Sequence, residues 1–467
     1  MKIARAALAL GILLAMISSN TLFGQSGFHE TKTQRDLRMK WWRDARFGMF
    51  VHWGLYSGLA GTWKGKCVGK RGGMEWIQQR VKADTDEYAK EATPKFKPKK
   101  GFADEWAALA EKAGCGYVVF TTKHHDGFAL FDSKQTTYDA KDLTGRDLCK
   151  EIVDALRAKK LRVGFYHSLI DWHHPQYDYK AAGRLPHPLK GRPFPNGSRN
   201  HAIYLDYLHK EVEEIMTNYG KVDVIWWDYS LKKAQGEFWK ADSLLAMTRK
   251  LQPEIITNNR LYSMPPIHKT DAVDRLKLWK PEQGDFTTPE QRIPSTGLPG
   301  VDWEVCMTMN TTWGYSEHDH KWKSPKTLIT NLVGIVSKGG NFLLNIGPKG
   351  DGSIPEESVK IMRAIGEWMK VNGEAIRGTQ ASPFPAPKWG VYTKKRATIY
   401  AHIIKWPESG KIKVPIKISE ITKLRFLADP NAHATMEADG DSTIVSLPET
   451  PTDSPVSVLA ITSRKQN

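Results

Sequence analysis

Polar side chains that can take part in acid–base chemistry stand at the ends of several short apolar segments. The clearest case is Val222–Trp227, because Asp228 follows a segment that reads VDVIWW. A carboxylate in such apolar surroundings is costly unless it has a partner or a use. Any one such residue is equally well interpreted as a satisfied polar group at a strand edge. Five segments together favour one shared site, and they lead to His52, His124 with His125, Asp171, Asp228 and Arg260.

The residue types at these positions fit the hydrolysis of a sugar better than other reactions. The sequence holds no HExxH, GxSxG, P-loop or GxGxxG motif, which argues against zinc proteases, serine hydrolases and nucleotide-binding enzymes. We expect His124 and His125 to point to opposite faces of a strand, which disfavours a shared metal ion. Carboxylates, imidazoles, an arginine and 17 tryptophans are typical of a glycosidase. No metal or cofactor is expected.

Elements that could position these residues alternate along most of the chain. Apolar residues share one helix face from Phe102 to Ala113, and two further stripes cover 148–156 and 205–216. Strand and helix in alternation predict an α/β fold, a (β/α)8-like barrel that forms a catalytic domain over residues 26–380. The C-terminal strand ends of such a barrel carry its chemistry. The predicted strands are Phe47–Trp53, Tyr117–Thr122, Val163–His167, Val222–Trp227, Ile255–Thr257 and Phe342–Ile346.

The pattern changes after Thr379. Gln380–Lys388 is rich in Pro, Ser and Ala, as linkers are. Short alternating runs separated by turn residues follow, and they predict a C-terminal all-β sandwich domain over residues 381–467. These runs are Ala397–Trp406, Lys411–Ile416, Lys423–Ala428, Ser442–Leu447 and Val456–Ile461.

The N-terminus has the composition of an export signal. Lys2 and Arg5 precede the apolar run Ala6–Ile17, and small polar residues follow. This order predicts a secretory signal peptide over residues 1–25 and a periplasmic or secreted protein. No other apolar stretch in the sequence approaches the length of a membrane span. The four cysteines are scattered, so a disulfide framework is not expected; they are buried, or two of them pair.

The chain is basic, with a formal net charge of +17. Basic residues are spread along the sequence and no nucleic-acid-binding motif occurs, so nucleic acid is a weak candidate partner. A solvated basic surface is the simplest interpretation, and attraction to an acidic or sulfated polysaccharide is the alternative. The sequence does not predict an oligomeric state.

Eight motifs follow one another along the chain: FGMFVHWG (47–54), GGMEW (72–76), TTKHHDGF (121–128), YHSLIDWHHPQY (166–177), VDVIWWD (222–228), TWGY (312–315), NFLLNIGPKGDGSIP (341–355) and NGEAIRGT (372–379). This set resembles glycoside hydrolase family 29, the α-L-fucosidases, and the resemblance runs from about residue 35 to Thr379 in one consistent order. It implies a barrel followed by a β domain, and an exo-acting enzyme that releases terminal α-L-fucosyl residues from glycans with retention of configuration.

The resemblance also implies roles for individual residues. Asp228 matches the family's nucleophile. Two residues depart from the family pattern, Tyr229 where Gly is common and Arg377 where Tyr is common, and Tyr229 bears on the shape of the pocket. Residues that the motif matches assign to sugar binding are His52, Glu75, Trp76, His124, His125, Tyr166, Trp226 and Arg260, with core packing an equally good interpretation for Tyr166 and Trp226.

Two glutamates compete for the general acid/base. Glu290 lies in GDFTTPEQ, a predicted loop downstream of Arg260, and Glu304 lies in DWE fourteen residues later. The family places its acid/base on a loop ahead of a WE pair, so Glu290 is the better match and Glu304 is expected to be structural. A loop position also suits a group that alternates between acid and base.

Two other functions remain open from the sequence. A fucose-like sugar such as L-galactose differs by one hydroxyl group, which an apolar pocket rejects by only roughly a hundredfold. A non-catalytic carbohydrate-binding protein could share the fold, although it has no need of the paired carboxylates.

Overall fold

The computed structural model describes residues 30–68, 73–182, 185–193, 197–231, 233–262 and 281–464. The predicted signal peptide, residues 1–25, lies outside these ranges. Within them, no helix is long and apolar enough to cross a membrane. All four cysteines are described and none is paired: Cys67 is exposed and the other three are buried.

A curved parallel sheet forms the first part of the molecule. Its order is β7-β6-β5-β4-β1-β9-β8, and every neighbouring pair is parallel. Almost every residue in these strands is buried, as expected where helices cover a parallel sheet. The strands of this sheet are β1 (Phe47–Val51), β4 (Tyr117–Lys123), β5 (Arg162–Ser168), β6 (Val224–Asp228), β7 (Ile256–Thr257), β8 (Glu304–Thr308) and β9 (Asn341–Ile346). A separate small hairpin consists of β2 (Thr62–Trp63) and β3 (Lys66–Cys67).

An irregular segment, residues 285–290, closes this sheet into a barrel between β7 and β8. The amide of Asn259 donates to the carbonyl of Phe286 at 3.0 Å, and the amide of Glu304 donates to Thr287 at 2.9 Å. The predicted (β/α)8-like barrel is confirmed, with this segment at the eighth position. Its parallel bridges are Asn258 with Phe286, Thr287 with Trp303, and Glu290 with Cys306.

Helices surround the barrel, and each predicted apolar stripe lies on one of them. Phe102–Ala113 shows why: acidic side chains occupy its first turn, apolar residues face the core, and Gly114 in the left-handed conformation ends it. The α-helices are Lys32–Ala45, Leu55–Leu59, Ile77–Val81, Thr85–Ala92, Phe102–Ala113, Ala140–Thr144, Leu148–Ala158, His201–Thr217, Ala241–Leu251, Pro325–Val336 and Glu356–Asn372. Short 3-10 helices cover Met74–Trp76, Thr93–Lys95, Gly236–Trp239, Pro281–Gln283, Gly373–Ala375 and Ile418–Glu420.

Two antiparallel sheets form the last part of the chain and confirm the predicted all-β unit. One sheet has the order β10-β11-β16-β13 and the other β12-β15-β14. Their apolar side chains form a core cluster of their own. The boundary at residue 380 remains a prediction. The strands are β10 (Gly390–Lys395), β11 (Thr398–Ile403), β12 (Lys411–Val414), β13 (Ile421–Phe426), β14 (Thr435–Asp439), β15 (Ser442–Ser446) and β16 (Ser457–Ser463).

Candidate active site

Asp228 is the last residue of β6 and lies at the C-terminal mouth of the barrel. The Tyr166 hydroxyl donates to its Oδ2 at 2.7 Å, and Nη1 of Arg260 donates to its Oδ1 at 2.6 Å. His125 Nε2 stands 3.8 Å from Oδ2. Burial by itself raises the pKa of Asp228, but Arg260, His125 and Tyr166 together hold that pKa below its usual value. The site therefore holds an ionised carboxylate.

Arg260 joins Asp228 to Glu290. Its Nη1 contacts Asp228, and its Nη2 donates to Glu290 Oε2 at 3.0 Å. Thr288 fixes the guanidinium from behind by accepting from Nε at 2.7 Å. Two carboxylates that the chain sequence separates by 62 residues, 228 and 290, therefore share one guanidinium.

Glu290 lies on the barrel-closing segment rather than on a free loop. Its backbone forms a parallel bridge with Cys306 on β8. The side chains of Asp228 and Glu290 are 14% and 17% exposed, so solvent reaches both carboxylates from the mouth. Glu290 thus combines a fixed backbone with an accessible carboxyl group.

The three predicted histidines surround the space beside these carboxylates. His52 Nδ1 is 2.7 Å from Asn345 Oδ1, and His125 Nδ1 is 2.7 Å from Ser168 Oγ. The interpretation that His124 and His125 point to opposite faces is wrong. β4 ends at Lys123, and their ring centroids lie only 4.1 Å apart because the strand pleat no longer separates them.

Burial keeps these imidazoles neutral. It lowers the pKa of His52 to about 3 and that of His125 to about 4, and it also lowers the pKa of His124 well below its usual value. A neutral imidazole offers one donor and one acceptor, which suits the binding of sugar hydroxyl groups. His124 Nδ1 is buried with no hydrogen-bond partner.

Glu75 and Trp76 reach the same space from a short 3-10 helix, Met74–Trp76. The amide of Gly314 donates to Glu75 Oε2 at 3.0 Å, and burial raises the pKa of Glu75 to about 7. Trp76 is half-buried and its ring contacts His125 at a centroid distance of 5.0 Å. A buried carboxyl and an indole thus lie on the side of the mouth that Met74–Trp76 forms.

The remaining predicted residues form the floor. The Tyr166 ring stacks on the His124 ring with 5.4 Å between their centroids. The centroid of the Trp226 ring lies 4.3 Å from the guanidinium carbon of Arg260. Glu304 lies elsewhere, fully buried at the first residue of β8. Of the two rival glutamates, only Glu290 contacts Arg260 at the mouth.

Sequence reasoning missed supporting residues. The ring centroids of Trp313 and His52 lie 4.9 Å apart, and the Thr288 hydroxyl accepts a hydrogen bond from Arg260. The quoted TWGY motif contained Trp313, whereas nothing in the spacing pointed to Thr288. Tyr229 has φ of 79°, a left-handed conformation that explains why glycine suits this position. Arg377 lies away from the site, with its guanidinium against Gly114.

The arrangement can carry out acid–base and nucleophilic chemistry on a small polyhydroxylated ring. It offers an ionised carboxylate, a second accessible carboxyl group, neutral imidazoles and aromatic walls, a set that fits a glycoside hydrolase. Within the described residues, no group of three or more His, Cys, Asp or Glu side chains could hold a metal ion.

Comparisons with known proteins point to one family. The family model described as Alpha-L-fucosidase matches residues 15–374. A tissue α-L-fucosidase of Mus musculus is 30% identical over 442 residues, covering 88% of this chain and 88% of that protein.

Solved structures agree with this match. Alpha-L-fucosidase isoenzyme 1 from Paenibacillus thiaminolyticus superposes with a TM-score of 0.82 at 38% identity, covering 92% of this chain and 100% of that one. An α-L-fucosidase from Bacteroides thetaiotaomicron, trapped as a covalent intermediate in complex with 2-fluoro-fucosyl fluoride, has a TM-score of 0.79 at 27% identity, covering 95% of this chain and 98% of that one.

Proposed function

Because the chain belongs to the α-L-fucosidase family, glycoside hydrolase family 29, we propose that it is a retaining exo-α-L-fucosidase that releases terminal α-L-fucosyl residues from glycans. The observation that carries this proposal is the contact of one guanidinium, Arg260, with both Asp228 and Glu290. Retaining glycosidases need two carboxyl groups about 5–5.5 Å apart. A shared arginine supports such a short separation.

The first step is attack by Asp228 on the anomeric carbon. Oδ1 and Oδ2 are oriented by Arg260 and Tyr166, and the lowered pKa keeps the nucleophile ionised. Glu290, protonated at this stage, donates its proton to the departing glycosidic oxygen. The products are a fucosyl ester of Asp228 and the free leaving group.

The second step reverses these roles. Glu290, now ionised, takes a proton from water, which attacks the anomeric carbon and releases Asp228. Arg260 serves both steps because it contacts both carboxylates: Asp228, which is ionised before the first step, and Glu290, which is ionised before the second. His52, His124 and His125 bind the sugar hydroxyl groups as neutral imidazoles, and the aromatic rings cover its apolar face.

We propose a fucosylated oligosaccharide or polysaccharide as substrate, with sulfated polysaccharide included because the chain carries a net charge of +17. Export of the protein is proposed from the composition of residues 1–25 alone.

Azide rescue tests both carboxylate roles through the configuration of the product. Asp228→Ala is expected to abolish turnover of an aryl α-L-fucoside, and azide then restores it as β-L-fucosyl azide in a single displacement. Glu290→Ala is expected to slow poor leaving groups far more than good ones, by roughly 10²–10⁴-fold. Azide then gives the α-azide, because it attacks the ester of Asp228.

The control is wild-type enzyme with azide, which should yield fucose alone. Full activity of Asp228→Ala contradicts the nucleophile assignment. Equal losses of Glu290→Ala on good and poor leaving groups contradict the acid/base assignment.

A further inference from the structure

Glu304 is a buried carboxyl group that the proposed mechanism does not use. It opens β8 and has no exposed surface. It lies at the N-terminal end of its strand, whereas Asp228 lies at the C-terminal end of its own strand, at the mouth of the barrel. A carboxyl group buried this deeply is costly unless its oxygens have partners.

Both oxygens of Glu304 have a partner. The indole Nε1 of Trp226 donates to Oε1 at 3.2 Å, and the hydroxyl of Tyr117 donates to Oε2. Indole can only donate, so an acceptor at this place fixes the rotation of the Trp226 ring. Burial raises the pKa of Glu304 to about 7.

One face of the Trp226 ring contacts Arg260, the residue that joins the two proposed catalytic carboxylates. The guanidinium carbon of Arg260 lies 4.3 Å from the Trp226 ring centroid, within cation–π range. The same guanidinium holds Asp228 and Glu290 through its two terminal nitrogens. A tilt of the indole therefore moves the group that aligns both carboxylates.

We propose that Glu304 is a positioning residue for fucoside hydrolysis: by accepting the Trp226 indole N–H, it fixes the ring on which Arg260 lies and thereby aligns Asp228 with Glu290. This inference rests on the proposed function. A small displacement of reacting groups can cost roughly a hundredfold in rate even when substrate binding is preserved.

Two substitutions separate positioning from other roles. Glu304→Leu removes both acceptors, and we expect kcat on an aryl α-L-fucoside to fall about tenfold or more with KM changed by less than about threefold. Glu304→Gln keeps an acceptor for Trp226, and its amide can donate to the Tyr117 oxygen, so kcat is expected to stay within about threefold of wild type. Unchanged kcat in Glu304→Leu overturns the proposal, and so does a loss in Glu304→Gln equal to that in Glu304→Leu.

Asp223→Leu is the matched control for a purely structural carboxylate. Asp223 is also buried at the N-terminal end of the barrel, where it accepts from the amide of Val163 at 2.9 Å and from Arg162 at 2.7 Å. It does not contact Trp226 or Arg260. We expect a lower melting temperature with kcat within about twofold of wild type.

A double-mutant cycle identifies the route through Trp226. Trp226→Phe keeps a ring under Arg260 but removes the N–H, so it is expected to lower kcat about as much as Glu304→Leu does, and adding Glu304→Leu to it is expected to cost nothing further. Trp226→Phe alone covers a Glu304→Leu protein that fails to fold, because it removes the same hydrogen bond, and an unchanged kcat in Trp226→Phe overturns the proposal. If the losses of kcat in the two single variants multiply in the double variant, the route through Trp226 is overturned. Failure of the proposed function is distinct, because it appears as wild-type enzyme without fucosidase turnover.

Discussion

Arg260 sets the charge balance of the site because one guanidinium serves two carboxylates with different duties. In the proposed mechanism, Asp228 must be ionised to attack, while Glu290 must gain and lose a proton. Burial alone favours a neutral Asp228, and the arginine outweighs that tendency together with His125 and Tyr166. The pKa of Asp228 therefore depends on Arg260.

Arg260→Gln is expected to move the acidic limb of the kcat/KM profile to higher pH. Without the positive charge of Arg260, the effect of burial on the pKa of Asp228 is less opposed. That pKa therefore rises, and the proposed nucleophile becomes protonated at a higher pH. An adjacent arginine lowers a carboxylate pKa by about 1–3 units, so a shift of about one pH unit or more is expected. Arg157→Gln, which removes a guanidinium that contacts backbone carbonyls of Tyr219 and Lys221, is the control. An acidic limb that stays in place or moves to lower pH contradicts this dependence.

Tyr229 has a strained backbone next to Asp228, the proposed nucleophile. Its φ of 79° is costly for a residue with a Cβ, while its ring contacts Trp76 and His125 at centroid distances of 5.6 and 5.3 Å. Tyr229→Gly and Tyr229→Ala both lose the ring, but only alanine keeps the Cβ. We expect the glycine variant to have the higher free energy of unfolding, by about 1 kcal/mol. Denaturant titration measures the difference, and an alanine variant at least as stable as the glycine variant refutes the strain.

The barrel-closing segment, residues 285–290, positions Glu290 and was not predicted as a strand. Its sequence, DFTTPE, has no run of apolar residues and contains a proline, so it forms a strand position only through pairing with β7 and β8. Asp285 anchors it: the carboxylate accepts from the amide of Thr257 at 2.9 Å and from Arg38 at 2.6 Å.

Asp285→Asn is expected to lower the free energy of unfolding by about 3 kcal/mol, because it breaks a buried ion pair. It should also lower kcat, since the segment carries Glu290, the proposed acid/base. Asp154→Asn is the control, because Asp154 forms an exposed pair with Lys150 on a helix surface and such pairs contribute about 0–1 kcal/mol. Equal small effects of both substitutions on thermal melting contradict the anchoring role.

Local sequence predicted the elements whose residues are uniformly apolar. All six predicted barrel runs are strands, and the three helix stripes lie on helices. β8 was missed because EVCMT mixes polar and apolar residues inside the barrel. For the same reason, spacing could not show that Glu304 lies under Trp226, or that the His124 and His125 rings lie side by side. Those positions depend on packing between distant segments.

The barrel and the C-terminal sheets share apolar packing. The indole of Trp368, on the last barrel helix, donates to the carbonyl of Val456 at 2.9 Å. Tyr400, Leu427 and Val458 belong to the same buried cluster as the barrel helices. The β unit therefore covers apolar barrel surface as well as its own core.

A chain restricted to residues 26–380 is expected to lose cooperative unfolding or to melt at a markedly lower temperature. Exposure of each large apolar side chain costs about 1.5–3 kcal/mol. Calorimetry with an aryl α-L-fucoside assay measures both stability and activity, and a chain ending at residue 464 is the control. An unchanged melting temperature with full kcat in the shorter chain contradicts the shared packing.

The central claim, that Asp228 attacks the sugar while Glu290 handles the proton, is tested most directly by labelling. A 2-deoxy-2-fluoro-α-L-fucosyl fluoride slows release of the ester more than departure of fluoride, so the intermediate accumulates. Proteolysis and mass spectrometry then locate the sugar. The account predicts one fucosyl ester per chain on Asp228, formed also in Glu290→Ala, because fluoride needs no acid. A label on another carboxylate, or turnover with no label at any time, contradicts it.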